Sequence, residues 1–168
     1  MKPISIIMGS ESDYETVKEA VCVLEGFKVG FDLKILSAHR TPKELEKYVM
    51  SAIEAGTKVF IAAAGGAAAL AGVIASYTSI PVIAIPIETK SLKGLDSLLS
   101  TVQMPAGVPV GVMSIGKAGA KNSAIFALEI LGTHEKAISE KLSLYKKEMR
   151  DKIKTANNKF SPLCRKPR

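Results

Sequence analysis

The sequence predicts an α/β domain in which helices cover both faces of a parallel sheet. Three observations predict it. Within residues 1–132, five short apolar runs alternate with helical patterns, the order that produces parallel strands joined by crossover helices. Most of these runs lack polar-apolar alternation, as strands buried on both sides do. The chain has 168 residues, 47% hydrophobic and 23% charged, enough to bury roughly 70% of the surface its unfolded form exposes without disulfides or a structural metal.

Strands are expected at 4–8, 31–36, 58–63, 81–85 and 110–115, and helices at 12–24, 42–55, 67–76, 93–102 and 118–131. In the first helix Val17, Ala20, Val21 and Leu24 fall at the i, i+3, i+4, i+7 spacing of a face lying on a sheet. The second opens on Thr41, Pro42 and Glu44, a cap, a proline at the first helical position and a capping-box glutamate. A further helix at 135–154 carries Ile138, Leu142 and Tyr145 on one stripe. No internal repeat and no interior linker divides the domain. The expected organisation is an α/β domain over 1–132, a helix over 133–154 packing on the same or a neighbouring subunit, and a basic flexible tail over 155–168.

Charge narrows the function classes. The chain holds 23 Lys and Arg against 16 Asp and Glu, yet residues 1–132 are balanced at 12 and 12, so the excess lies in 133–168 with 11 against 4. A basic tail without interleaved aromatics fits a docked helix with a solvated face better than a single-strand nucleic-acid binder, so no nucleic-acid partner is expected. No apolar run reaches the ~18 to 20 residues of a membrane span, and the start of the chain carries no signal-peptide cleavage pattern. A cytoplasmic protein without a membrane partner is expected. Cys22 and Cys164 form no CxxC or Cys/His cluster, so neither a disulfide nor a zinc site is expected.

In open parallel sheets ligands bind beyond the carboxyl ends of the strands, so the segments after each run carry the functional signal. After the first strand come Met8, Gly9, Ser10, Glu11, Ser12 and Asp13: a glycine for close backbone approach, hydroxyls and a carboxylate, and then a helix N-terminus suited to phosphate or ribose. This is neither GxGxxG nor a P-loop, and Ser12 or Asp13 as a plain helix cap is the structural alternative. After the second strand come Ser37, Ala38, His39, Arg40, Thr41 and Pro42. Capping needs neither His39 nor Arg40, whereas a planar guanidinium clamps phosphate and an imidazole titrates near neutrality. After the third strand, residues 62–72 are almost entirely Ala and Gly with Leu70, offering shape and backbone groups but no titratable side chain. Beyond the fourth run, residues 86–109 are punctuated by Pro and Gly that would stiffen loops around a pocket. His134, at the junction with the last helix, reads as structural.

Five segments taken together resemble the PurE-type enzymes of purine synthesis, which move a carboxyl group on aminoimidazole ribonucleotides. They are Met8-Gly9-Ser10-x-Ser12-Asp13, Ser37-Ala38-His39-Arg40-Thr41-Pro42, Gly65-Gly66-Ala67-Ala68, Gly94-x-Asp96-Ser97-Leu98 and Val102-Gln103-Met104-Pro105-x-Gly107-Val108-Pro109, spread over residues 4–134. The resemblance implies a three-layer flavodoxin-like fold with a C-terminal helical extension, a homo-octamer, and no metal or organic cofactor. It implies conversion of N5-carboxyaminoimidazole ribonucleotide to 4-carboxyaminoimidazole ribonucleotide without ATP, with carbon dioxide as an intermediate. Carried over by motif, His39 is the proton-transfer residue, Ser10, Asp13 and Arg40 bind ribose and phosphate with help from Ser12 and Ser37, and Gly65, Gly66, Ala67 and Leu70 shape the substrate pocket.

The match has departures. Ala69 stands where the bacterial mutases usually carry a histidine, Ala71 where they carry a proline, and Tyr14 where a tryptophan often follows the Ser-Asp pair. A second class of the family, which carboxylates aminoimidazole ribonucleotide directly with carbon dioxide, also lacks that histidine. It stays an alternative, as does a non-catalytic nucleotide-binding module on the same fold.

Overall fold

Residues 2–160 are described by a computed structural model. Five parallel strands run in the order β2-β1-β3-β4-β5, with β1 at Ile4–Met8, β2 at Phe31–Ile35, β3 at Val59–Ala64, β4 at Val82–Pro86 and β5 at Gly111–Val112. The helices are α1 (Tyr14–Phe27), α2 (Pro42–Glu54), α3 (Leu70–Tyr77), α4 (Leu95–Val102), α5 (Gly116–Gly132) and α6 (Lys136–Phe160). This is the flavodoxin-like winding, in which the chain leaves β1 for one edge and returns past it to β3.

Strand alternation builds two cores. Ile4, Ile6 and Met8 of β1, with Val59, Ile61 and Ala63 of β3, face α1 and α5 through Val17, Ala20, Leu24, Ala124 and Leu128. Ile7, Phe60 and Ala62 face α2 and α3 through Leu45, Val49, Leu70 and Ile74. Because both faces are covered, β1 and β4 are buried at every position. Ser5, the polar residue in β1, shares a hydroxyl hydrogen bond of 2.8 Å with Tyr48 of α2.

The structure moves several expected boundaries. α1 runs on to Phe27 and ends with Lys28 in the left-handed region at φ 57°, where the Val29 N–H reaches back to Leu24 O at 3.0 Å. Phe27 is held there by packing, edge-to-face on Tyr145 with ring centroids 5.7 Å apart. β5 is much shorter than the expected run, pairing Gly111 and Val112 alone with Ile83 and Ala84. It is an edge strand preceded by Pro109, which has no N–H to give to a ladder. α3 starts at Leu70 rather than at residue 67, because Gly66 and Ala68 take positive φ values of 67° and 37°.

α6 is longer than expected, continuing to Phe160. Its first half docks on its own chain through Ile138 and Leu142, whereas residues 146–160 are exposed throughout. Cys164 and the end of the basic tail lie outside the described residues. No helix among those described is long and apolar enough to cross a membrane.

Candidate functional site

The switch point between β1 and β3 brings three loops to one place. A cleft of about 350 Å³ at the carboxyl ends of β1, β2 and β3 is lined by Ser10, Asp13, Ser37, His39, Arg40 and Leu70, with Gly9, Gly65 and the small side chains of Ala38, Ala64, Ala68 and Ala69 completing it. A larger groove of about 700 Å³ lies between α1 and α6. It holds no histidine and none of the loop residues that follow β1, β2 or β3.

The first loop is held by its own polar groups. Ser10 caps the short 3-10 turn Glu11–Asp13, and Asp13 answers in a capping box. Asp13 Oδ2 accepts from Ser10 N at 3.1 Å, and Ser12 Oγ lies 2.9 Å from Ser10 Oγ and 3.4 Å from Asp13 Oδ1. Asp13 is 7% exposed. Burial pushes its carboxyl above the usual range, and the hydrogen bonds from Ser10 and Ser12 and the charge of Arg40 pull it part of the way back. Gly9 is not forced by geometry, since a Cβ there would meet only ordinary contacts at 3.8 Å.

The second loop departs from its expected capping box. The Thr41 side chain makes no cap to α2. Its hydroxyl turns back, accepting from Ser37 N at 2.9 Å and donating to Ser37 O at 3.2 Å. The tight loop this closes throws His39 and Arg40 outward, and both are exposed. Ser37 Oγ accepts from Arg40 N and Nε at 3.2 and 3.4 Å, and Arg40 Nη2 donates to Gly9 O at 2.7 Å. The rest of the guanidinium fork has no hydrogen-bond partner among the described residues, leaving donors directed by a fixed base for an anion.

The third loop supplies backbone. α3 begins after Ala69 without a side-chain cap, so the first N–H groups of a helix lie against the cleft with their partial positive charge. Ser12, Gly66 and Ala67 do not line the cleft. Ser12 supports Asp13, Ala67 is exposed, and the Gly66 N–H is taken by Ser97 Oγ at 3.0 Å. Reading loop by loop missed Ser97. The clue was the Gly94-x-Asp96-Ser97 segment itself, whose polar side chains have structural partners. Thr89 Oγ1 donates to Asp96 Oδ1 at 2.8 Å, and Gly94 sits at φ 89° where a Cβ would come 2.5 Å from Ile115 Cγ2. Among the described residues no group of three His, Cys, Asp or Glu is placed to hold a metal ion.

An imidazole, a guanidinium and a buried carboxylate thus face a small, Ala/Gly-walled space floored by a helix N-terminus. That set can bind a phosphorylated sugar at its polar side and move a proton at the other. The family model described as AIR carboxylase matches residues 3–152. A N5-carboxyaminoimidazole ribonucleotide mutase of Vibrio parahaemolyticus is 49% identical over 150 residues, 89% of this chain and 93% of that one. The protein of the same name from Pyrococcus abyssi is 53% identical, covering 89% and 85%. Among solved structures, PurE of Treponema denticola superposes with a TM-score of 0.82 at 26% identity, covering 96% of this chain and 98% of that one.

Proposed function

The chain belongs to the AIR carboxylase family, and from that premise we propose how its three loops divide the reaction. The protein is an enzyme of purine biosynthesis that converts N5-carboxyaminoimidazole ribonucleotide into 4-carboxyaminoimidazole ribonucleotide. The observation that carries the assignment of residues is the convergence of His39, Arg40, Ser10 and Asp13 on one cleft with the small-residue loop after β3.

Arg40 and Ser10 hold the phosphate, Asp13 accepts from the ribose hydroxyls, and Ser12 and Ser37 keep Asp13 and Arg40 in place. His39 gives a proton to the exocyclic nitrogen as its bond to the carboxyl carbon breaks, which leaves the amine and carbon dioxide. Ring carbon C4 then attacks the carbon dioxide and loses its own proton to His39, so the imidazole ends as it began and the substrate is isomerised with no external oxidant, reductant or nucleotide triphosphate. Gly65, Ala68, Ala69 and Leu70 wall a pocket that keeps carbon dioxide beside C4, an effective-concentration device that calls for small residues rather than charges. Ala69 lines this pocket, which gives the intermediate more room than a ring-bearing side chain would.

The enzyme works as a homo-octamer in the cytoplasm. Supporting assembly, α4 exposes Leu95, Leu99 and Val102 at 46 to 52% of their surface, and the far half of α6 exposes Ile153 and Phe160, more apolar surface than a lone domain usually presents. Supporting the compartment, a phosphorylated ribonucleotide is charged and does not cross membranes unaided.

Turnover without ATP tests the reading, with N5-carboxyaminoimidazole ribonucleotide in one arm and aminoimidazole ribonucleotide plus bicarbonate in the other. Conversion of the first substrate, lost in His39→Asn, is expected. Efficient use of the second instead would assign the direct carboxylation, and a folded protein that binds the ribonucleotide but converts neither would leave a binding module.

A further inference from the structure

We infer that Ser97 and Thr101, on the inner face of α4, are positioning residues for the carbon dioxide pocket. The inference rests on the reaction proposed above. α4 is turned inside out relative to an ordinary amphipathic helix: Ser97 is 0% and Thr101 4% exposed, while Leu99 is 52% exposed. Burying two hydroxyls costs free energy unless each finds partners, and both find them in and around the loop that follows β3.

Ser97 Oγ donates its proton to Ile87 O at 2.7 Å and accepts from the Gly66 N–H at 3.0 Å, bridging the end of β4 to the loop. Thr101 Oγ1 has one proton, which goes to Ser97 O at 2.8 Å, with Ala68 O a weaker acceptor at 3.4 Å. The two contacts bracket Ala67 and fall on the two residues with left-handed φ, Gly66 at 67° and Ala68 at 37°. For an alanine that conformation is sterically strained, so it persists only where neighbours hold it.

The relaxed alternative is evident in the sequence. Residues 67–76 have the pattern of a helix, and α3 nevertheless starts at Leu70. Ser97 occupies the amide and Thr101 touches the carbonyl on either side of Ala67, stopping α3 from winding back another turn into the cleft. They thereby keep the uncapped N-terminus of α3 and the walls formed by Gly65, Ala68 and Ala69 where they are. Neither hydroxyl lines the cleft, so both act through the loop.

The decisive measurement is partition. With N5-carboxyaminoimidazole ribonucleotide as substrate, both 4-carboxyaminoimidazole ribonucleotide formed and aminoimidazole ribonucleotide released are quantified, after subtracting spontaneous decarboxylation. In Ser97→Ala, formation of the carboxylated product is expected to fall roughly 10- to 100-fold while the released fraction rises. KM should stay within about threefold, because Ser10, Asp13 and Arg40 are untouched. Thr101→Val should move the same ratio less, and Ser97→Thr, which keeps the hydroxyl, should restore most of it. A purely structural role would lower the amount of active protein and leave the ratio alone. An unchanged ratio in folded Ser97→Ala therefore overturns the inference, and should that variant not fold, an unchanged ratio in Thr101→Val does so. Wild-type protein that makes no carboxylated product would instead remove the proposed reaction, and this inference with it.

Discussion

Arg40 Nη2 donates to the carbonyl oxygen of Gly9 at 2.7 Å, joining the loop after β2 to the loop after β1. The strands beneath are already neighbours, with Met8 paired to Ile35, so this one bond fixes the guanidinium relative to Ser10 and Asp13. Screened by solvent at this exposed site, the bond contributes no more than about 1 kcal/mol, and it aims the fork without neutralising it.

Arg40→Lys keeps the charge and loses the fork. An ammonium cannot reach Gly9 O, Ser37 Oγ and a phosphate together, so KM for the ribonucleotide is expected to rise roughly 10- to 100-fold with a smaller change in kcat. Steady-state kinetics check this, and an unchanged KM would take Arg40 out of the phosphate site.

His39→Asn removes the proton carrier and leaves the loop intact, since the hydrogen bonds that close it run through Ser37, Arg40 and Thr41. Loss of general acid-base catalysis costs about 100- to 10,000-fold in kcat. Affinity measured by calorimetry with the ribonucleotide product should change little. A loss of affinity as large as the loss of turnover would make His39 a binding group.

Asp13→Asn separates stability from activity. Burial raises the Asp13 carboxyl above its ordinary range, so the folded state holds that proton to higher pH than the unfolded chain does. Its contribution to folding is therefore greatest in acid and is lost as pH rises through the folded-state value. Asn does not titrate and can still accept from Ser10 N. Relative to wild type, the variant should gain stability in urea titrations as the pH rises from the ordinary carboxylate range through the folded-state value, while kcat/KM falls roughly 10- to 100-fold from the lost charged acceptor. A stability difference that does not vary with pH would show that burial does not govern this carboxyl.

Leu99→Glu tests the outer face of α4. Leu99 is 52% exposed, so the folded monomer should lose no more than about 0.5 kcal/mol, whereas a charge placed in a subunit contact is costly. Light scattering coupled to size exclusion should show particles smaller than those of the wild type. Particles of unchanged size would place the contact elsewhere.

Much of this was legible in the order of residues. Five apolar runs alternating with helical stripes specify a parallel sheet because each segment's periodicity is local and the crossover rule then restricts topology. Five strands formed, and β1 occupies the expected span Ile4–Met8. His39, Arg40, Ser10 and Asp13 stood out because each follows directly on a strand, where an open sheet places its ligands.

Other features depended on contacts between segments far apart in the chain. Thr41 reads as a cap, but its hydroxyl is satisfied by Ser37. Residues 67–69 read as helix and are held open by Ser97 and Thr101, 31 and 33 positions away from their loop partners. Ser97 falls within the expected helix 93–102 and is 0% exposed, because α4 lies with its hydroxyls inward. Local pattern reports what a segment prefers by itself; which preference yields is decided where two segments compete for the same N–H or carbonyl, and that pairing exists only after the chain has folded.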